Sequence, residues 1–313
     1  GGGKKKNILQ RRRVRLCLYR CINSLLVKAN WVPWKIDWTH DCYKRLNFSQ
    51  FKMVIGMDVC HNRVTKSSVV AFTSTYDSDM VKLHQIIGYQ KMGVELVKTI
   101  AFYFKKALKK FRSCNDKYPE QIFFYRDGVS ESQLETIAEE EVCSLRKVLE
   151  EEKIKCKIEF IIVQKREDSG SIPSRYIVIA DEMELINKKK ETKNKENEDE
   201  EEEKEDKEGK RALQTFSSHL CHLYFDSTQD AVRIPHVVKA ADHIAFKFSN
   251  KELKDHLQGI QEERYKPKKS KESEKPKESE KAKEHKISEE SEESKEDDSK
   301  IFLWDVSHFK VLG

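Results

Sequence analysis

No stretch of these 313 residues approaches the roughly 18 consecutive apolar side chains that a membrane-spanning helix requires. The opening residues, GGGKKKNILQRRRVR, place charge where a secretory signal would have its apolar centre. An intracellular chain with no membrane partner is expected. Any Cys-x-x-Cys pair is also lacking, and the eight cysteines are scattered. A disulfide framework or zinc knuckle therefore fits poorly, and free buried thiols are expected. Cys17 and Cys21 stand one helical turn apart, but no matching His or Cys pair follows nearby. Two segments have almost no apolar residues. Asn187 to Lys210 holds 8 basic and 11 acidic residues and none that is apolar, while Gln261 to Lys300 holds 12 basic, 14 acidic and three apolar. Neither can bury enough surface to order itself, so both read as disordered Lys/Glu-rich inserts.

What remains is 249 residues with 40 basic and 29 acidic groups, a net charge of +11 against +6 for the whole chain. Its apolar share of about 45% is ordinary for one large globular domain. The first twenty positions contain eight basic residues and no acid, which fits either a nucleic-acid arm or nuclear signal, or a solvated terminus. From Phe51 the texture becomes β-rich. KMVIGMDV, SSVVAFTST and VKLHQIIGYQ read as three strands of an antiparallel meander.

Apolar residues at Val97, Ile100, Ala101, Phe104, Leu108 and Phe111 then share one helical face, and the lysines opposite them read as a solvated surface. QIFFYRDG is a buried strand closed by a turn, Leu134 to Leu149 a second amphipathic helix, and KIEFIIVQ and SRYIVIAD further strands. Leu213 to Phe225 and His236 to Phe248 complete the helices. The order strand, helix, strand, helix, strand predicts an α/β fold with parallel pairing across the helices. Asp58 and Asp127 both fall at the ends of buried strands. One such aspartate would simply cap a turn, whereas two on neighbouring parallel strands would meet at one sheet edge, where hard oxygen ligands suit Mg2+.

VIGMDVCH, IFFYRDGVSESQ, LCHLYFDSTQDAVRIP and AADHIAF, in this order, resemble the PIWI domain of the Argonaute family, closest to the Piwi branch. The resemblance runs from about Val27 to Phe248. It implies a ribonuclease H-like mixed sheet flanked by helices that holds a small guide RNA paired with complementary target RNA. Competent relatives cut the target with two Mg2+ or Mn2+ ions held by an acidic tetrad. Asp58, followed by His61, matches the first tetrad position, Asp127 the aspartate of the YRDG motif, and Asp242 the last position, with His243 one residue away. Glu95 falls at the place of the loop glutamate. The resemblance puts Asp58 between the two metals, Asp127 and Asp242 on one each, and Glu95 over the metal-bound water. Lys28 in VKANWVPW and Lys247 after AADHIAF stand where relatives grip the guide's 5′ phosphate, although Ala29 and Asn30 replace the glycines that usually follow the first lysine.

The resemblance also implies cytoplasmic or nuclear work in RNA-mediated gene silencing, with silencing-complex proteins as further partners. Residues 1–50 then read as a basic arm with a remnant of the MID domain, 51–260 as the PIWI domain interrupted by insert 187–210, 261–300 as a disordered tract and 301–313 as an apolar terminus. The chain leaves no room for the N-terminal, PAZ and most MID segments, which implies a fragment or a minimal paralogue. QKREDSGSIPSRY is far shorter than the family's connection after Arg166, which implies either a narrowed guide channel or a strand edge without its usual cover. IFLWDVSHFKVLG reads as the family's apolar terminus, displaced in sequence but docked near the 5′ phosphate pocket.

Overall fold

The computed structural model describes residues 31–47, 51–62, 67–91, 96–129, 131–165, 174–186, 199–226, 231–249 and 302–305, with scattered positions between 14 and 26. Lys28, Glu95, the 166–173 connector, the first charged tract up to residue 198 and the whole of the second lie outside the described residues.

β1 (Lys52–Asn62), β2 (Ser67–Thr75) and β3 (Leu83–Lys91) form the expected antiparallel meander. β4 (Gln121–Asp127) then pairs parallel with β1, and β5 (Lys157–Gln164) parallel with β4. β6 (Arg175–Asp181) returns antiparallel to β5 and is the last strand on its side. At the other side β7 (Phe302–Asp305), from the apolar terminus, pairs antiparallel with β3. The sheet order is β6-β5-β4-β1-β2-β3-β7.

Side chains alternate across a strand, so each face of this sheet has its own core. Met53, Ile55 and Met57 of β1 join Ile122 and Phe124 of β4 on one face. Covering that face are α1 (Leu96–Asn115), then α2 (Leu134–Ile137) and α3 (Cys143–Glu151), with a π-helical turn at Ala138–Val142 between the last two. Phe124 stacks on Phe160 at 4.7 Å, and burying each such ring contributes about 1.5–3 kcal/mol. The second helix was expected to run uninterrupted. The π turn breaks it where Glu141 turns inward to meet the buried Arg126, a local widening that a purely apolar seam would not need.

The opposite core gathers Val54, Phe123, Tyr125, Ile161 and Val163 under α4 (Asp199–Leu220) and α5 (His236–Phe248). Part of the predicted N-terminal arm belongs to this core, since Trp38, Tyr43 and Leu46 are buried against Phe216 and its neighbours. α4 begins fourteen residues before the expected Leu213. The apolar seam of Leu213, Phe216 and Leu220 anchors a helix, and the Glu- and Lys-rich residues before it are good helix formers that propagate it backwards. It ends at Leu220 and continues as a 3-10 turn, Cys221–Leu223, short of the expected Phe225.

All eight cysteines are free, as expected, but only Cys221 is buried, because most of the others sit on outward faces that the scattered spacing did not distinguish.

Candidate metal centre

Period-two alternation carries one side of the sheet from apolar to acidic. On β1, Val54, Gly56 and Asp58 share the face that α5 covers. On β4, Phe123, Tyr125 and Asp127 do the same. The parallel ladder between these strands ends at Met57 and Arg126, so Asp58 and Asp127 stand side by side just beyond it. Asp58 is not at a strand end, as the sequence had implied. β1 continues to Asn62 because β2 still pairs with it after β4 has turned away.

Two glycines permit this geometry. A Cβ on Gly56 would lie 2.4 Å from the Val237 carbonyl carbon, so only hydrogen there lets α5 pack on the strand. Thr73 Oγ1 donates to the Val237 carbonyl at 2.7 Å and pins the helix start. Gly128 turns the chain at φ +78° and donates its N–H to Asp127 Oδ1 at 2.7 Å.

α5 supplies the third carboxylate. Ligand oxygens of Asp58, Asp127 and Asp242 all lie within 4.8 Å of one another. His243, the neighbouring alternative, instead bonds through Nδ1 to the Tyr224 hydroxyl at 3.0 Å and is exposed. His61 pairs with Ser68 at 2.8 Å. Lys247 is exposed in the last turn of α5. Lys28 and Glu95 lie outside the described residues.

Basic groups that motif reading passed over surround the trio. Lys165, just past β5, places Nζ 2.6 Å from Asp127 Oδ2 and 2.9 Å from Asp242 Oδ1. Lys239 Nζ is 2.7 Å from Asp242 Oδ2, one turn earlier on the same helix. Behind the trio, Arg126 Nε stands 3.3 Å from Glu141 Oε2 with both side chains buried, and Arg126 Nη1 donates to the Asp127 carbonyl. The signal for Lys165 was present in the strand, because Ile161, Val163 and Lys165 fall on one face. Glu141 also fell at helical spacing, four residues from both Ile137 and Leu145 on the apolar seam, but an acid in that seam did not point to a buried partner.

Burial and the neighbouring Asp127 charge raise the Asp58 carboxyl above its usual range, with Lys165 partly offsetting them. Burial would raise Asp242 too, but its hydrogen bonds and ion pairs with Lys239 and Lys165 outweigh that and hold it below the ordinary carboxylate range. Burial of Lys165 opposes its charge, yet Asp127 and Asp242 keep it firmly protonated.

The trio suits a divalent cation. Three carboxylates converge from two strands and a helix, and Asp127 Oδ2 receives no well-directed hydrogen bond, facing the Lys165 ammonium as an ion pair.

Known proteins share parts of this sequence and this fold. Piwi-like protein Siwi of Bombyx mori is 33% identical over 219 residues, 63% of this chain and 24% of that protein. Protein aubergine of Drosophila melanogaster is 33% identical over 132 residues, 40% of this chain and 15% of its own length. The chain thus spans about a quarter or less of these curated relatives. Among solved structures, Kluyveromyces polysporus Argonaute with a guide RNA has a TM-score of 0.55 at 17% identity, covering 74% of this chain and 30% of that one. The C-terminal lobe of a budding yeast Argonaute has a TM-score of 0.54 at 17% identity, covering 74% and 53%. At that identity both establish the fold, the ribonuclease H-like arrangement of Argonaute PIWI domains. The sequence profile of the Piwi domain matches residues 4–170, which include Asp58 and Asp127 but stop short of Asp242. That match spans more than half of the residues, and the chain belongs to the Piwi domain family.

Proposed function

We propose that this chain binds a small guide RNA paired with complementary target RNA and hydrolyses the target's phosphodiester backbone at the Asp58, Asp127 and Asp242 cluster, using Mg2+ or Mn2+. The convergence of these three carboxylates within 4.8 Å carries the reading. Divalent ions held there would polarise the phosphodiester and make water nucleophilic at neutral pH. Asp58 and Asp127 are held by paired strands and Asp242 by a packed helix, so the ligands are largely preorganised. Glu95 is the proposed fourth carboxylate, and Lys28 and Lys247 the proposed grips on the guide's 5′ phosphate. The +11 charge outside the two tracts supports polyanion binding, since phosphate neutralisation supplies much of the affinity in such complexes. A role in RNA-mediated silencing in cytoplasm or nucleus, alongside other silencing proteins, follows from the same reading.

A second reading, small-RNA binding without cleavage, has its own observation in Lys165, whose ammonium already neutralises part of the cluster. A cleavage assay with loaded guide and matched target separates the two. The expected result is a single cut that requires Mg2+ and disappears in Asp58→Ala while RNA binding persists. Binding without any cut leaves the second reading, and loss of salt-sensitive RNA binding removes both.

A further inference from the structure

The end of β5 brings to the carboxylates a group that metal chemistry does not ask for. Lys165 spans two of the three acids, while Lys239 holds the second oxygen of Asp242. Three carboxylates and two ammonium groups leave the cluster with one negative charge. A divalent cation seeking Asp127 Oδ2 and Asp242 Oδ1 meets an ammonium already within 3 Å of both. Like charges cannot share those oxygens at such separations without strong repulsion. The two lysines differ in freedom. Lys239 is tied to Asp242 within one helix, three residues apart. Lys165 lies one residue beyond the last paired position of β5, Gln164, outside the strand ladder. Both side chains reach solvent, 41% exposed for Lys165 and 37% for Lys239, so the tether and not the exposure sets them apart.

We propose that Lys165 is a tethered counter-cation of the metal centre. It holds Asp127 and Asp242 together while no ion is bound, and it must swing out for an ion to enter, which sets how tightly the chain takes divalent cations. The inference rests on the metal-centre reading above. Lys165 acts here as a positioning residue, working through Asp127 and Asp242.

The test is Mn2+ binding by the full chain without RNA, followed by calorimetry and by the paramagnetic resonance of free Mn2+, together with thermal melting in EDTA and in excess Mn2+. Lys165→Met keeps the length and removes the charge, and Lys165→Arg keeps the charge. The expected result is Mn2+ binding at least about tenfold tighter in Lys165→Met than in wild type, with Lys165→Arg close to wild type. In EDTA the Lys165→Met melting temperature falls, and excess Mn2+ restores it. Equal or weaker Mn2+ binding in Lys165→Met overturns the proposal while leaving the metal centre standing. Tightening in Lys165→Arg equal to that in Lys165→Met also overturns it, because charge would not be the cause. Tight binding that survives an added Asp58→Asn places the ion elsewhere and overturns it too. Absence of Mn2+ binding in every chain overturns the metal-centre reading and this inference with it.

Discussion

Strand β5 meets acidic neighbours at both of its ends, about 20 Å apart, and treats them in opposite ways. Near its start, Glu159 is fully buried and lies directly across from Asp181 on β6. Burial and the Asp181 charge push its carboxyl up to about 9, so it keeps its proton at neutral pH. Asp181 is committed to the N–H groups of Leu185 and Ile186, at 2.7 and 2.8 Å. Just past the other end, Lys165 and Lys239 stand among three carboxylates and hold Asp242 below its ordinary range despite partial burial. The sealed pair holds a proton, whereas the open trio holds two lysine ammonium groups. Nearby ammonium groups and access to solvent are what set the trio apart from the pair of Glu159 and Asp181.

The largest expected effect comes from breaking the open cluster. Asp127→Asn should lower single-turnover cleavage of guide-matched RNA by about 10³-fold or more, because several kcal/mol of charge stabilisation is lost, while RNA affinity stays near wild type. Removing the support behind it should act on folding. Glu141→Ala strands Arg126 without its buried partner and is expected to cost about 3–5 kcal/mol in urea denaturation.

Gly56→Ala shifts α5, and Asp242 with it, away from the strands. Its methyl group would overlap the Val237 backbone, costing about 1–3 kcal/mol and weakening Mn2+ binding in parallel. Glu159→Gln sharpens the comparison from the sealed side. In wild type the folded Glu159 binds a proton that the unfolded chain, with its ordinary value near 4.5, has released. That stability is complete below about pH 4.5 and is lost as pH rises through about 9. Glu159→Gln should flatten this decline in urea melts at pH 5, 7 and 9, and should leave Mn2+ affinity unchanged.

Much of the fold was legible in advance. The meander, the two parallel strands and the returning β6 follow from runs of alternating and continuous apolar residues, and α1 from spacings of three and four. Asp58 and Asp127 were legible because strand periodicity sets their face. Asp242 came from resemblance, with His243 one residue away as the alternative, and helix rotation turns His243 toward Tyr224 instead. The pairing of Arg126 with Glu141 was unreadable, since helical spacing places Glu141 on the inner face but does not name a partner on β4.

By itself the sequence determined the strands β1 to β6, the helix α1 and the face that carries Asp58 and Asp127, because those depend on local periodicity, while the π turn and the start of α4 did not follow from it. Tertiary structure decided that Asp242 joins the two strand aspartates and that Lys165 and Lys239 neutralise them. Those outcomes depend on how closely α5 lies over Gly56 and on where β5 ends beside β4. Both distances are set by packing between elements far apart in the chain.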